Sequence, residues 1–278
     1  MFTLNCKGRL LSVDKPLVMG VINTTPDSFY SGSRYHGIDT VLRQAEQMLI
    51  DGATILDFGG QSTRPGSEKV KVDEELKRVI APIEAIHKNF PDAFISIDSF
   101  YSVVVANAVA AGASLVNDIS AGCMDSKMIE TVAALNTPYI LMHMKGTPQN
   151  MHHQPKYENV TSEVLDFLIQ KVSEIRQSGI TDIIIDPGFG FGKSIKHNFR
   201  LLHDLSVFKI LGCPILLGIS RKSTIYKTLD ITPEEALNGT TTLNTIGLLN
   251  GASILRVHDV KEAVEIIKLF EFYSNAGK

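Results

Sequence analysis

Eight short apolar runs recur along this chain, and each delivers a polar residue or a glycine turn at or near its C-terminal end. They are Leu17–Asn23, Thr54–Gly60, Ala93–Asp98, Ser114–Asp118, Pro138–His143, Asp182–Asp186, Pro214–Ser220 and Ala252–His258. Rich in Val and Ile, they read as parallel strands buried on both faces. Amphipathic helix patterns separate them: Val41, Leu42, Ala45, Met48 and Leu49 repeat at helical spacing, as do Val164, Leu165, Leu168, Ile169, Val172 and Ile175, and Val260, Ala263, Val264, Ile267 and Phe270. Thr232-Pro233-Glu234-Glu235 has the form of a capping box with proline at the first helical position, and it predicts the start of the seventh helix. Strand–helix alternation repeated eight times over roughly 250 residues predicts an α/β fold, a (β/α)8 TIM barrel forming a single domain over residues 1–278. An open doubly wound sheet is the alternative; it would usually show fewer strands and a dinucleotide-type glycine turn after the first.

A strand that only has to be buried can stay apolar to its end. Eight that finish polar point to one shared mouth where chemistry is done, at the C-terminal face of the barrel. Two connections leaving that face, Thr24–Gly37 and Gln61–Lys71, are long enough to be binding loops or lids. The net charge of −3 gives no reason to expect nucleic acid or an anionic membrane as partner. No run approaches the ~18 apolar residues of a membrane span, and the N-terminus lacks a signal-peptide layout. Cys6, Cys123 and Cys213 are widely spaced and form no C-x-x-C pattern, as expected of reduced structural thiols in a cytoplasm.

The polar ends sort by charge. Arg221, Lys222, Arg256 and His258 follow the seventh and eighth runs, where barrels of this kind often bind phosphate. Asp98, Asn117 and Asp186 end the third, fourth and sixth runs, and a buried carboxylate wants N–H donors or a cation. The mouth therefore reads as bipolar, one side fit for an anion and the other for a flat heterocycle carrying N–H groups. Any one of these residues could be an ion pair closing the barrel top; five polar strand ends together argue against that. Gly188-Phe189-Gly190-Phe191-Gly192-Lys193-Ser194 looks like a phosphate-binding loop but has three residues between the glycines where four are needed, so it reads as a mobile lip of the pocket. His152-His153 has no third ligand at sensible spacing for zinc. His36, His87, His197 and His203 read as structural or surface residues, and Met142 and Met144, which flank His143, as core fillers. No nucleophile–base pair of the Ser–His or Cys–His type is expected.

These residues resemble the dihydropteroate synthase family. Met19-Gly20-Val21-Ile22-Asn23-Thr24-Thr25-Pro26-Asp27-Ser28-Phe29 is similar to its first signature, and Gly59-Gly60-Gln61-Ser62-Thr63-Arg64-Pro65-Gly66 to its second. Ile97-Asp98-Ser99, Asn117-Asp118-Ile119, Leu141-Met142-His143-Met144, Asp186-Pro187-Gly188, Gly218-Ile219-Ser220-Arg221-Lys222-Ser223 and Arg256-Val257-His258-Asp259 follow in the family's order. The resemblance spans Gly20 to Asp259. It implies Mg²⁺-dependent condensation of 6-hydroxymethyl-7,8-dihydropterin diphosphate with 4-aminobenzoate, giving 7,8-dihydropteroate and diphosphate in folate biosynthesis. It further implies a homodimer and a sulfonamide target. Carried over residue by residue, Asp98, Asn117, Met142 and Asp186 hold the pterin, and Lys222 contacts it while shaping the aminobenzoate pocket. Asn23 ligates Mg²⁺ on the diphosphate, whose oxygens meet Arg256 and His258. Phe29, Thr63, Arg64, Pro65, Phe191 and Ser220 border the aminobenzoate, and Asp27 lies on the first loop. Catalysis is thereby expected of Asp27, Asp98, Lys222, Arg256 and His258. Gln61 stands where the family often has Glu, Thr24 where it often has Val, Tyr30-Ser31 for a commoner Ser-Asp, and Phe189 for a common Ile. A methyltetrahydrofolate–corrinoid methyltransferase would explain Asp98, Asn117 and Asp186 but not the phosphate cluster. A non-catalytic pterin-binding paralogue should have lost Asn23, Arg64, Lys222 or Arg256, and all four are present.

Overall fold

The computed structural model describes residues 1–24, 34–61, 69–151 and 155–277. An N-terminal hairpin of β1 (Phe2–Cys6) and β2 (Arg9–Val13) precedes the barrel. Then follow β3 (Leu17–Asn23), α1 (Arg34–Ile50), β4 (Ile55–Gly59), α2 (Val72–Asn89), β5 (Phe94–Asp98), α3 (Ser102–Ala111), β6 (Leu115–Asp118), α4 (Met128–Leu135) and β7 (Tyr139–Met142). The second half runs α5 (Val160–Gln177), β8 (Ile183–Asp186), α6 (Ile195–His203), a 3₁₀ turn (Leu205–Leu211), β9 (Leu216–Leu217), α7 (Ser223–Leu229), α8 (Leu237–Leu249), β10 (Ile254–Val257) and α9 (Val260–Asn275). The parallel sheet has the order β8-β7-β6-β5-β4-β3-β10-β9, and a bridge between Ile185 and Ile215 brings its two ends together. This is the expected single-domain, near-closed TIM-type barrel.

Strand parity decides what each residue does. One set of alternate positions, including Val18, Leu56, Phe58, Ile95, Ile97, Val116, Leu141, Ile183, Ile185, Leu217 and Leu255, packs outward under the helices in the main core. The other set points into the barrel, where Leu17, Met19, Ile55, Leu115, Ile140, Ile184, Leu216 and Ile254 form an apolar floor. One step further along the same strands the inward positions turn polar: Asp57, Asn117, Asp186 and Arg256, then Asn23, Asp98 and His258 beyond them. An apolar floor under a polar mouth is thus written into single strands, two residues apart.

The hairpin closes the floor from below, burying Leu4, Cys6, Leu11 and Val13 against it. Burial of each such aliphatic side chain stabilises the fold by about 1.5–3 kcal/mol. Its turn places Lys7 (φ 56) and Gly8 (φ 88) in the left-handed region, as a two-residue hairpin requires. This hairpin is not among the eight apolar runs legible in the sequence. Two boundaries also differ. The capping-box segment does not start a helix: Glu235 accepts from the Thr232 N–H at 2.9 Å, which closes an isolated turn, and the regular helix begins at Leu237. A short helix, α7, fills the stretch before it. The seventh strand is only Leu216–Leu217, so Ser220 lies beyond the ladder. Among the described residues, no helix is long and apolar enough to cross a membrane.

Candidate active site

Strand register assembles the mouth. Asn23 pairs with Gly59, Gly59 with Asp98 and Asp98 with Asn117, which sets four neighbouring strand ends in one row. Met142 pairs with Asp186 on the far wall. A Cβ on Gly59 would stand 3.9 Å from both Asn23 Oδ1 and Asp98 Oδ2, so the bare backbone there leaves room between them.

At the centre lies a triad absent from the sequence reading. Asp57, fully buried, accepts from Arg256 Nε at 2.7 Å and from Asn117 Nδ2 at 3.1 Å through its Oδ2. Arg256 Nη2 reaches the same oxygen and Asp98 Oδ2, each at 2.6 Å. One guanidinium thus serves two carboxylates. Asp57, with both Nε and Nη2 on one oxygen, holds the stronger claim. Asp98 is the weaker partner: burial pushes its pKa up, against the pull of Arg256, and the Asp57 charge pushes it further. Burial opposes the Arg256 charge, but Asp57 and Asp98 outweigh it and raise the arginine's pKa. Arg256, placed by sequence on the anion side, therefore leans across to the heterocycle side in this structure.

The strand pair Asn117-Asp118 splits by parity. Asn117 faces the mouth. Asp118 faces away and is consumed structurally, accepting from Ser120 N, Gly122 N and Tyr139 Oη at 2.7 Å each.

On the far wall Asp186 is buried, and its Oδ1 accepts from the Gly188 N–H at 2.7 Å. Burial raises its pKa, and Lys222 opposes that rise. Asp186 Oδ2 and Lys222 Nζ each lie 3.8 Å from where a Cβ on Gly218 would stand. Lys222 Nζ donates to the Phe189 carbonyl and sits 4.6 Å from the Phe191 ring centroid. Burial lowers its pKa to about 8, with Asp186 resisting and Arg256 assisting. Met142 belongs to an apolar patch with Phe100 and Ile119, flanked by Tyr101, Met124, Met144 and Phe191. A flat apolar wall beside a buried carboxylate, an amide and an ammonium suits a planar heterocycle with an N–H edge.

Arg221 does not join the anion side. It donates Nε and Nη2 to Asp259 at 2.9 and 2.7 Å and Nη1 to the Pro233 and Glu234 carbonyls, fastening the barrel rim. Ser220 and His258 do meet at the mouth, as a Ser–His pair that the sequence reading had not expected. Ser220 Oγ lies 3.1 Å from His258 Nδ1 and also accepts from the His258 backbone N–H at 3.3 Å. His258 is exposed at the rim, yet protein atoms around it and then the Arg256 charge push its pKa down to about 4. So weak a base does not activate a serine. The contact instead orients the imidazole at the rim, and which atom of the Ser220 Oγ–His258 Nδ1 pair donates depends on the tautomer.

The glycine-rich stretch is not a loose lip. Gly188, Gly190, Phe191 and Gly192 are each fastened, in part by the wholly buried Lys193 ammonium. Gln61 ties the ends of the second long connection together. Its Nε2 donates to the buried Glu75 at 2.6 Å and its Oε1 accepts from the Val70 N–H at 3.3 Å. Of the residues predicted from sequence, Asn23, Asp98, Asn117, Met142, Asp186, Phe191, Ser220, Lys222, Arg256 and His258 converge on the mouth, whereas Asp27, Phe29, Thr63, Arg64, Pro65 and the His152-His153 pair lie outside the described residues. Asp57, Glu75 and Lys193 are the polar residues that sequence reasoning missed.

Residues 19–258 match the model of the family described as pterin binding enzyme. The chain is 41% identical over 270 residues to the dihydropteroate synthase of Escherichia coli strain K12, covering 96% of this chain and 95% of that protein. Among solved structures it superposes on the Yersinia pestis dihydropteroate synthase in complex with a sulfonamide drug with a TM-score of 0.92 at 38% identity, covering 99% of this chain and 100% of the other. The Xanthomonas albilineans dihydropteroate synthase with 4-aminobenzoic acid gives a TM-score of 0.91 at 38% identity, covering 98% of each chain.

Proposed function

Since the chain belongs to the dihydropteroate synthases of the pterin-binding enzyme family, transferases of folate biosynthesis, we propose that its barrel mouth joins 6-hydroxymethyl-7,8-dihydropterin diphosphate to 4-aminobenzoate. The observation that carries this reading is the division of one mouth: Asp186, Asn117 and Lys222 beside the Met142 wall on one side, the imidazole of His258 on the other, and Arg256 between them. Asp186 takes the amino and ring N–H groups of the pterin, and Asn117 and Lys222 take its remaining polar edge.

In the reaction the bond between the exocyclic methylene and the diphosphate oxygen breaks, and its electron pair leaves with diphosphate. Arg256 and the imidazole of His258 meet the charge that develops on the leaving oxygens. Asp98, released from Arg256 as that arginine turns to the diphosphate, faces the electron-deficient methylene. The arylamine nitrogen of 4-aminobenzoate then bonds to the methylene and gives up a proton to solvent. No enzyme nucleophile takes part. Phe191 and Ser220 border the aminobenzoate, and the family resemblance assigns Phe29, Thr63, Arg64 and Pro65 beside them and Asp27 to the catalytic group.

Among the described residues no three His, Cys, Asp or Glu side chains converge on a metal. Mg²⁺ commonly needs only one or two protein oxygens when phosphates supply others. Asn23 Oδ1 and Asp98 Oδ2, each 3.9 Å from where a Cβ on Gly59 would stand, offer such oxygens at the mouth. Asn23 would hold Mg²⁺ there with the diphosphate, and the ion would supply charge neutralisation to the leaving group. The enzyme works in the cytoplasm, is a sulfonamide target, and acts as a homodimer, a reading supported by exposed Ile169, Val207 and Ile210 along the α5 and 3₁₀ face.

The test combines protein, Mg²⁺, pterin diphosphate and 4-aminobenzoate. Dihydropteroate and diphosphate should appear in equal amounts, and calorimetry should detect 4-aminobenzoate binding only once pterin diphosphate or diphosphate is present. Absence of product at micromolar enzyme would sink the reading; equal aminobenzoate affinity with and without the first ligand would contradict the order.

A further inference from the structure

Lys193 is 6% exposed and its Nζ is surrounded entirely by protein. Four acceptors converge on it: His143 Nδ1 at 2.9 Å, the His143 carbonyl at 3.2 Å, the Gly188 carbonyl at 2.8 Å and the Phe191 carbonyl at 3.0 Å. Three of them can only accept. The fourth is the imidazole of His143, whose pKa burial and then the Lys193 charge push down to about 2, so the ring is neutral and its Nδ1 accepts when Lys193 is protonated. A protonated lysine supplies three N–H bonds to this cage, one of them shared. None of the four acceptors is a carboxylate, so the hydrogen bonds go to three carbonyls and an imidazole. Buried charges are expensive, and burial is the main force lowering the Lys193 pKa, with Asp186 the main opposing charge. A methionine would fill the same space more cheaply if packing were all that the position required.

What the ammonium determines is the path of residues 188–192. The Gly188 and Phe191 carbonyls turn inward to Lys193, while the Phe189 carbonyl between them turns outward to Lys222 Nζ. Gly188, with φ 74, passes so close to strand β7 that a Cβ there would stand 1.9 Å from the His143 carbonyl. The Phe191 ring, carried on the same segment, lies beneath Lys222. Asn198 and Tyr157 secure the Gly190 N–H and the Gly192 carbonyl from outside. Two lysines therefore grip one short segment from opposite sides, and only Lys222 faces the mouth.

We propose that Lys193 is a positioning residue for the condensation: its caged ammonium folds residues 188–192 so that the Phe189 carbonyl and the Phe191 ring hold Lys222 beside Asp186. It touches neither substrate and acts through Lys222. This rests on the pterin-site reading given above.

The test is a double-mutant cycle on pterin diphosphate affinity, measured by calorimetry with Mg²⁺ on the full chain. Lys193→Met should weaken binding about tenfold or more in the wild-type background and hardly at all in the Lys222→Met background, because contacts that act as a unit are non-additive. A residue that only stabilised the barrel would give the same change in both backgrounds. A folded Lys193→Met that binds like wild type, or equal losses in the two backgrounds, would overturn the proposal. If Lys193→Met does not fold, the same cycle is run on Lys193→Gln, which is shorter, carries no charge and offers two N–H donors in place of three; wild-type affinity there, or equal losses in the two backgrounds, would overturn it equally. Failure of the wild-type chain itself to bind pterin diphosphate would count against the substrate reading, not against Lys193.

Discussion

Lys222→Met should make the folded chain more stable while disabling it. Burial lowers the Lys222 pKa from 10.5 to about 8, so the folded state holds this charge at a cost. At about 1.4 kcal/mol per pH unit, that lowering sets an upper figure of about 3 kcal/mol. Removing the side chain also forfeits its hydrogen bond to Phe189 and its contact with the Phe191 ring, together about 1–2.5 kcal/mol. A net gain of about 1–2 kcal/mol remains near neutral pH, enough to raise Tm by a few degrees in a chain of this length. The sign with pH is fixed by linkage. Below about pH 8 both states carry the proton and the full cost is present. Between about 8 and 10.5 the folded state releases its proton first, so the wild type gains stability relative to the variant as pH rises. Urea unfolding followed by circular dichroism, at neutral pH and at about pH 9.5, reads both effects. Wild-type kcat/KM should fall as pH rises through about 8, while the variant loses about 10²-fold or more. A variant less stable than wild type at neutral pH, or a stability difference that does not change with pH, would refute the reasoning.

Two further substitutions separate positioning from architecture. Asp57→Asn should lower kcat/KM by about 10²-fold, because Arg256 and Asn117 both lose their shared anchor; near-normal steady-state rates would contradict it. Tyr139→Phe should cost about 1–3 kcal/mol in urea unfolding, since it takes one of three donors from the buried Asp118, and should leave turnover intact because Asp118 faces away from the mouth.

The barrel and most of the mouth were legible because the signal is carried by single strands. Leu17–Asn23 reads as an apolar run closed by an amide and forms that strand. Asp57 was hidden for a reason of parity. It sits inside Ile55-Leu56-Asp57-Phe58-Gly59, and without knowing which alternate positions face inward it is only an odd polar residue in an apolar run. The clue was available: Asp57 lies two residues before Gly59 as Arg256 lies two before His258, and both pairs are inward. Lys193 was obscured by its motif, since a lysine after alternating glycines suggests an outside phosphate and not an internal cage. The hairpin escaped because five-residue strands around Lys7-Gly8 carry little periodic signal, although the turn residues themselves marked it. Arg256 shows a limit of another kind: sequence gives its strand, but only the competing carboxylates of Asp57 and Asp98 decide where its guanidinium rests.

The claim that one mouth has a heterocycle side and an anion side is tested most directly by calorimetry with the two halves of the first substrate, 6-hydroxymethylpterin and inorganic diphosphate with Mg²⁺, on Asp186→Asn and His258→Ala. The two sides predict opposite losses: Asp186→Asn should weaken the pterin fragment by about tenfold or more and leave diphosphate affinity near wild type, and His258→Ala should do the reverse. Equal weakening of both fragments by both variants, or no weakening by either, would contradict the division.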